Sequence, residues 1–497
     1  GEIHGDSSST ITLSNNGSVA FSGNSASFGG AIYGASNSTI TLSNNGSVVF
    51  EGNTSESAFS NARGGAIFGI SSGTITLSND GSVTFSGNTV SGRYSYGGAI
   101  EGFVTMTGNG DVSFSGNTAS GRYAYCGAIY TSGDLSIRNN DSVLFEKNVE
   151  KSGSTYRLSS IYAVGGDVIS LSAAAGKSIE FRDSVYIASG STVNLNADYT
   201  YLDEAGESVT IRQTGDIIFT GADTEQHLND LLEAAGAGRT ATAQEILNSR
   251  TTAIYTMPNL FGGRLRVEEG AIYQGQGITA MEGSAATVRV QNATLKHSGY
   301  DLTFNAGTTL ELAGNNTITG NVRMLEGSSL LFDLSQYQGG TIHSGSWSVA
   351  DGALVSVALD SSGWTGEWGE IKTIALLNTN ADLSASRFDL SISPLTGNWE
   401  HSGLQWVDGT LSIAFKNGAT NAEWTNAAGD FRWNNESYNW TDSGCSFARV
   451  NGADVTFGKS AEGSILLDGQ MEVGKMTVSA ESAYTLDFEA GASLVVQ

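Results

Sequence analysis

Three of the five basic residues within positions 1–150, Arg63, Arg93 and Arg122, fall in short polar stretches of changing length. Tyr94, Tyr96, Tyr123 and Tyr125 accompany them, and Tyr156-Arg157 extends the set. Guanidinium beside phenol is a combination enriched at binding hot spots, so the chemistry on offer is recognition of a glycan or protein surface. The competing reading is that these Arg and Tyr side chains stack on one another and only cover the scaffold. A second series, His4, Tyr33, Phe68, Glu101, Tyr130 and Tyr162, follows a recurring isoleucine and points outward, as a mostly aromatic column able to stack sugars or merely to stabilise a sheet.

Catalytic patterns fare worse. Gly69-Ile-Ser71-Ser-Gly73 has the form G-x-S-x-G, but a nucleophile elbow needs a strand-to-helix turn and this stretch joins two strand-like runs. Gly176-Lys177-Ser178 and Gly458-Lys459-Ser460 lack the glycine that a phosphate loop requires, having Leu171 and Ala453 there. His4, His227, His297, His343 and His401 show no metal-ligand spacing, and no calcium-binding nonapeptide occurs. The expectation is a chain that is not an enzyme, with no metal and no cofactor. A polysaccharide-degrading enzyme is the rival, because its scaffold can be the same as the one described next.

The elements that position these residues are written as a repeat. Ile11/Leu13, Ile40/Leu42, Ile75/Leu77, Val104/Met106, Leu135/Ile137 and Ile169/Leu171 form one series of apolar pairs. Val19/Phe21, Val48/Phe50, Val83/Phe85, Val112/Phe114, Val143/Phe145 and Ile179/Phe181 form another, and Ile3, Ile32, Ile67, Ile100, Ile129 and Ile161 a third. Three short β-prone runs per repeat, separated by Asn/Gly/Ser turns, predict an all-β chain, a right-handed parallel β-helix with three sides. Asn24, Asn53, Asn88, Asn117 and Asn148 stand three residues after each Phe, where a left-handed turn and a side-chain amide ladder are expected. The stretches carrying Arg and Tyr, SASF, TSESAFSNAR, TVSGRYSY and TASGRYAY, then emerge as turns of variable length at one corner.

The motifs FSGN, FEGN, FSGN, FSGN and FEKN, paired with GGAI at Gly29, Gly64 and Gly97 and CGAI at Cys126, resemble the passenger repeats of chlamydial polymorphic outer-membrane proteins, which are autotransporters. LSAAAGKSIEFRDSVY (171–186) and GDIIFTGADTEQHLNDLLEAAG (215–236) are similar to the middle domain of that family. WTNAAGDFRWNNESYNW (424–440) with GADVTFG (452–458) is similar to the autotransporter-associated strand repeat. The resemblance implies a passenger displayed at the bacterial cell surface or released from it. It also implies anchoring by a barrel outside this segment and adhesion to a host surface glycan or protein; a structural spacer is the third alternative. The chain departs from the chlamydial pattern in having few cysteines.

Composition agrees with display rather than with nucleic acid as partner: the formal net charge is −26. A monomer is expected. Cys126 and Cys445 are too far apart along a solenoid to bridge, so both are expected free. Leu228, Leu231, Leu232 and Ala235 mark a helical excursion over 223–248, ended by Gly236-Ala-Gly238 and followed by a second helix from Thr240. The regions expected are repeat β-helix (1–190), a middle region with the helical insertion (191–330), further β-helical coils (331–415) and a Trp-rich module (416–497), in which Trp433 and Trp440 are more readily core than sugar-binding.

Overall fold

The computed structural model describes all residues except 1–2, 71–72, 203–205, 282–284, 335–342, 351–352, 359–363, 365, 380–388, 393–394, 396, 460 and 480–482. Ser71 of the G-x-S-x-G stretch and Ser460 of the second Gly-Lys-Ser lie outside the described residues. The chain forms two compact units, residues 1–330 with 345–353, and residues 331–344 with 354–497.

The first unit is a parallel β-helix. Its repeat positions stack in register on three sheets. Ile3, Ile32, Ile67, Ile100, Ile129 and Ile161 are successive partners on the first. Ile11, Ile40, Ile75, Val104, Leu135 and Ile169 follow one another on the second. On the third, Phe21, Phe50, Phe85, Phe114, Phe145, Phe181 and Phe219 stack ring on ring with centroids 4.7–5.3 Å apart. Strand spacing of ~4.8 Å matches the stacking distance of aromatic rings, so one periodicity satisfies backbone and side chain together. Each buried Phe or Ile contributes about 1.5–3 kcal/mol through loss of apolar surface from water.

Two buried polar ladders clamp the turns. In the first, each Asn side-chain oxygen accepts from both the backbone N–H and the side-chain amide of the preceding rung: Asn53 from Asn24, Asn88 from Asn53, Asn117 from Asn88, and Asn148 from Asn117. Each amide also donates back to a Phe carbonyl, as Asn88 does to Phe50 at 2.9 Å. The left-handed residue is not the Asn, as expected from sequence, but the one before it: Gly23, Gly52, Gly87, Gly116 and Lys147, with φ of 56–66°. That geometry turns the amide inward. Asp183 ends the ladder as a pure acceptor, receiving Asn148 through one carboxylate oxygen. A second ladder, Asn16, Asn45, Asp80, Asn109 and Asn140, repeats the device at the preceding turn.

The step between rungs shortens first where Ile161 pairs with Val185 and Ile169 with Val193, 24 residues on, and is again short beyond residue 258. Leu265, Val288 and Leu310 are in-register partners 23 and 22 residues apart. In the second unit parallel stacking continues in part, Leu354–Ala358 pairing with Asp389–Ile392, and an antiparallel sheet joins it: Ile371–Thr379 pairs antiparallel with Thr410–Asn417, as do Trp399–His401 and Gln405–Val407. Next to this sheet, Trp424, Trp433 and Trp440 are fully buried in a core that includes Phe457, Ile465 and Leu467.

Candidate functional site

The stretches read from sequence as corner turns are strands. Ser25–Ala26, Thr54–Arg63, Thr89–Tyr96, Thr118–Tyr125 and Val149–Ser152 pair in parallel, forming a stack of arms. The arm Thr54–Arg63 runs out and back, its Arg63 N–H donating to Ser55 Oγ at 3.2 Å, and its two extra residues are taken up by a register shift against Thr89–Tyr96 at Gly92/Tyr94. Ala62, Val90, Ala119 and Ala124 join the two halves through a small apolar core of their own. Glycine and serine, which weaken an isolated strand, are tolerated because the neighbouring arms supply the hydrogen bonds.

The stack sorts the candidate residues into three groups. The returning halves place Arg63, Tyr96 and Tyr125 against the column Tyr33, Phe68, Tyr130 and Tyr162. Tyr96 and Tyr125 meet Tyr130 and Tyr162 edge-on at 4.8–6.2 Å. Tyr130 stacks on Tyr162 at 5.6 Å, and Tyr33 on Phe68 at 5.6 Å. The Arg63 guanidinium lies over the Phe68 and Tyr96 rings and pairs with Glu101 at 2.5 Å. The outward column is therefore a partly covered seam, with Tyr33, Tyr130 and Tyr162 still half-buried. Phe68 and Glu101 are each only 4% exposed. Burial raises the Glu101 carboxyl to about 8 against the pull of Arg63, and burial likewise raises Tyr130.

The second group is correspondingly withdrawn from the exposed set. Past Gly153 the last arm folds back as a hairpin, Val149–Ser152 against Thr155–Leu158. Two helices cover it: α1 (Thr224–Ala234) and α2 (Ala243–Arg250), the latter starting later than expected because Thr242 and Glu245 form a capping box. Tyr156 is buried with Val149, Leu158, Leu228 and Leu232. Its N–H donates to Glu245 Oε1 at 3.0 Å, and that of Leu158 to Ser249 Oγ at 2.9 Å. The helices thus satisfy a strand edge that would otherwise be open to pairing. Arg239 holds Glu245 with two 2.8 Å bonds and lowers its carboxyl to about 2. Arg157 is engaged by Glu150 at 2.7 Å.

The arm tips carry the most exposed of these side chains. Arg93, Arg122 and Tyr123 are exposed, Tyr94 and Tyr123 stack at 4.8 Å, and the guanidinium centres sit 5.7 and 5.4 Å from these rings. Arg93 and Arg122 border a shallow hollow of about 500 Å³ with Glu56, Ser57, Ser91 and Gly92. Among the described residues neither arginine has an ion-pair partner, whereas Arg182, Arg264, Arg266 and Arg289 on the coils are all matched to carboxylates. Register places Arg93 and Arg122 on adjacent strands, which sets two unmatched cations side by side.

Cys126 and Cys445 are free and buried. Cys126 occupies the left-handed position that glycine holds in GGAI, at φ +65°. Among the described residues no three His, Cys, Asp or Glu side chains converge as a metal site. No known protein family and no curated protein matches the chain.

Proposed function

We propose that this chain is the passenger of a bacterial outer-membrane autotransporter, displayed at the cell surface, which adheres to host glycan or protein through the tips of its stacked arms. The observation that carries the adhesive part is the pair Arg93 and Arg122. A chain of net charge −26 places two cations one strand apart, on aromatic supports, without carboxylate partners among the described residues. Adjacent like charges destabilise a sheet unless an anion lies between them, which favours a partner presenting a carboxylate or a sulfate. The passenger part rests on the sequence resemblance and is compatible with free thiols only and a fold that grows by stacking.

The test is the double substitution Arg93→Glu/Arg122→Glu in the intact chain, with folding checked by circular dichroism. Binding to host cells and to an acidic-glycan array is expected to fall at least tenfold. Unchanged binding by a folded variant would remove the arms from the adhesive surface.

A further inference from the structure

The second unit contains a hollow of about 380 Å³ whose walls come from both its antiparallel sheet and its Trp-rich module. That volume lies within the range of small-ligand sites. Trp368 forms one wall. Although 51% exposed, its indole is fixed: Nε1–H donates to the Ala419 carbonyl at 2.9 Å. The ring rests on Gly418, a left-handed residue at φ +74°, where a Cβ would come within 2.6 Å of the indole atoms. Backbone and sequence thus make a seat for an aromatic plate that is left half in water, where it gains little from burial.

Tyr438, 47% exposed, is the other exposed aromatic of the lining, whereas Trp399 and Phe447 are buried. Its hydroxyl donates to Glu400 Oε1 at 3.4 Å. Burial raises the Glu400 carboxyl to about 7, opposed by Tyr438 and Arg449. Exposed Asn435 and Arg449 add donors around the same space. Two partly wetted aromatic rings, with a carboxyl, an amide and a guanidinium between and around them, match a ring that has an apolar face and a hydroxylated rim.

We propose that this hollow is a saccharide-binding site, in which a pyranose ring lies on the Trp368 indole and its hydroxyls reach Glu400, Asn435 and Arg449. Glu400 is the only carboxylate among the described lining residues. Hydrolysis of a glycosidic bond ordinarily needs two, so the proposal is for binding. The buried Trp433 and Trp440 take no part. This site is independent of the arm tips.

The experiment is ligand-observed saturation-transfer NMR on the full chain with three probes, methyl β-D-galactopyranoside, N-acetylglucosamine and maltose. At least one is expected to receive saturation. The signal should fall at least fivefold in Trp368→Ala and in Tyr438→Ala, and persist in Arg93→Glu/Arg122→Glu. If Trp368→Ala misfolds, the exposed Tyr438→Ala decides. Absence of transfer to all three probes, or transfer unchanged in the folded aromatic variants, overturns the proposal. Loss of transfer in the arm variant as well would assign the sugar to the arms instead.

Discussion

Replacing Asp80 by Asn should stabilise the protein, and the amount can be worked from its neighbours. Asp80 is the one acid inside a ladder of amides and is 2% exposed. Its Oδ1 does what an Asn oxygen does, accepting from Asn45 N and Nδ2 at 2.8 and 2.9 Å. Its Oδ2 has no partner. On flanking rungs the equivalent amide donates twice: Asn109 reaches the Leu77 carbonyl and Asn140 Oδ1, both at 2.9 Å. Asp80 makes neither bond. Two neutral hydrogen bonds at about 0.5–1.5 kcal/mol each give an expected gain of about 1–3 kcal/mol. Burial raises the Asp80 carboxyl above the ordinary range. The folded state therefore holds the proton more tightly than the unfolded chain, and wild-type stability falls as pH rises through the folded value. Asp80→Asn lacks that fall, so its advantage should be full at pH 7 and smaller at pH 4. Urea denaturation followed by circular dichroism at both pH values measures this, and amide exchange at Asn45 and Asn109 localises it. Equal or lower stability of the variant at pH 7 would refute the ladder argument.

Glu101→Gln should flatten another pH dependence. With the carboxyl raised to about 8, wild-type stability declines from the ordinary glutamate range up through pH 8, and the variant's melting temperature should change less between pH 5 and pH 8.5. Tyr156→Ala removes a buried ring at a cost of about 3–5 kcal/mol. That loss should fall on the docking of the two helices, read as faster tryptic cleavage at Arg239 with the coils still protected.

The stacking was legible because it is periodic. Ile, Val and Phe recur at fixed places, and only one register superposes all three series. The second ladder was equally visible, as Asn16, Asn45, Asp80, Asn109 and Asn140 each stand three residues before a core Val, but a turn composition of Asn, Gly and Ser reads as turn and nothing more. The arms misled for a related reason. Thr89–Tyr96 has no strand pattern of its own and becomes a strand only because Thr54–Arg63 and Thr118–Tyr125 lie on either side. Tyr156 was misplaced because its cover comes from Leu228, Leu232 and Glu245, far along the chain, and no local signal connects them. In the second unit the enrichment in tryptophan and the core place of Trp433 and Trp440 were legible, but the exposed place of Trp368 was not. Trp433 and Trp440 are core, while Trp368 is held in the open by a hydrogen bond to Ala419 and by Gly418.

The amide ladder has a direction, and this sets a grammar for changing the length of the molecule. Every rung from Asn24 to Asn117 hands its donors forward to the next oxygen, so a rung bearing Asn is both a continuation and a new beginning. A whole repeat could be duplicated or deleted anywhere in that run and the chain of amides would close again. Asp183 is different: its carboxylate receives from Asn148, and among the described residues no side-chain oxygen accepts in turn from its N–H, as Asn109 does from that of Asp80. It is a full stop. Variation in repeat number is therefore expected before it, among the coils that carry the arms, so the reach of the arm stack can change by units of one rung while the remainder of the solenoid stays as it is.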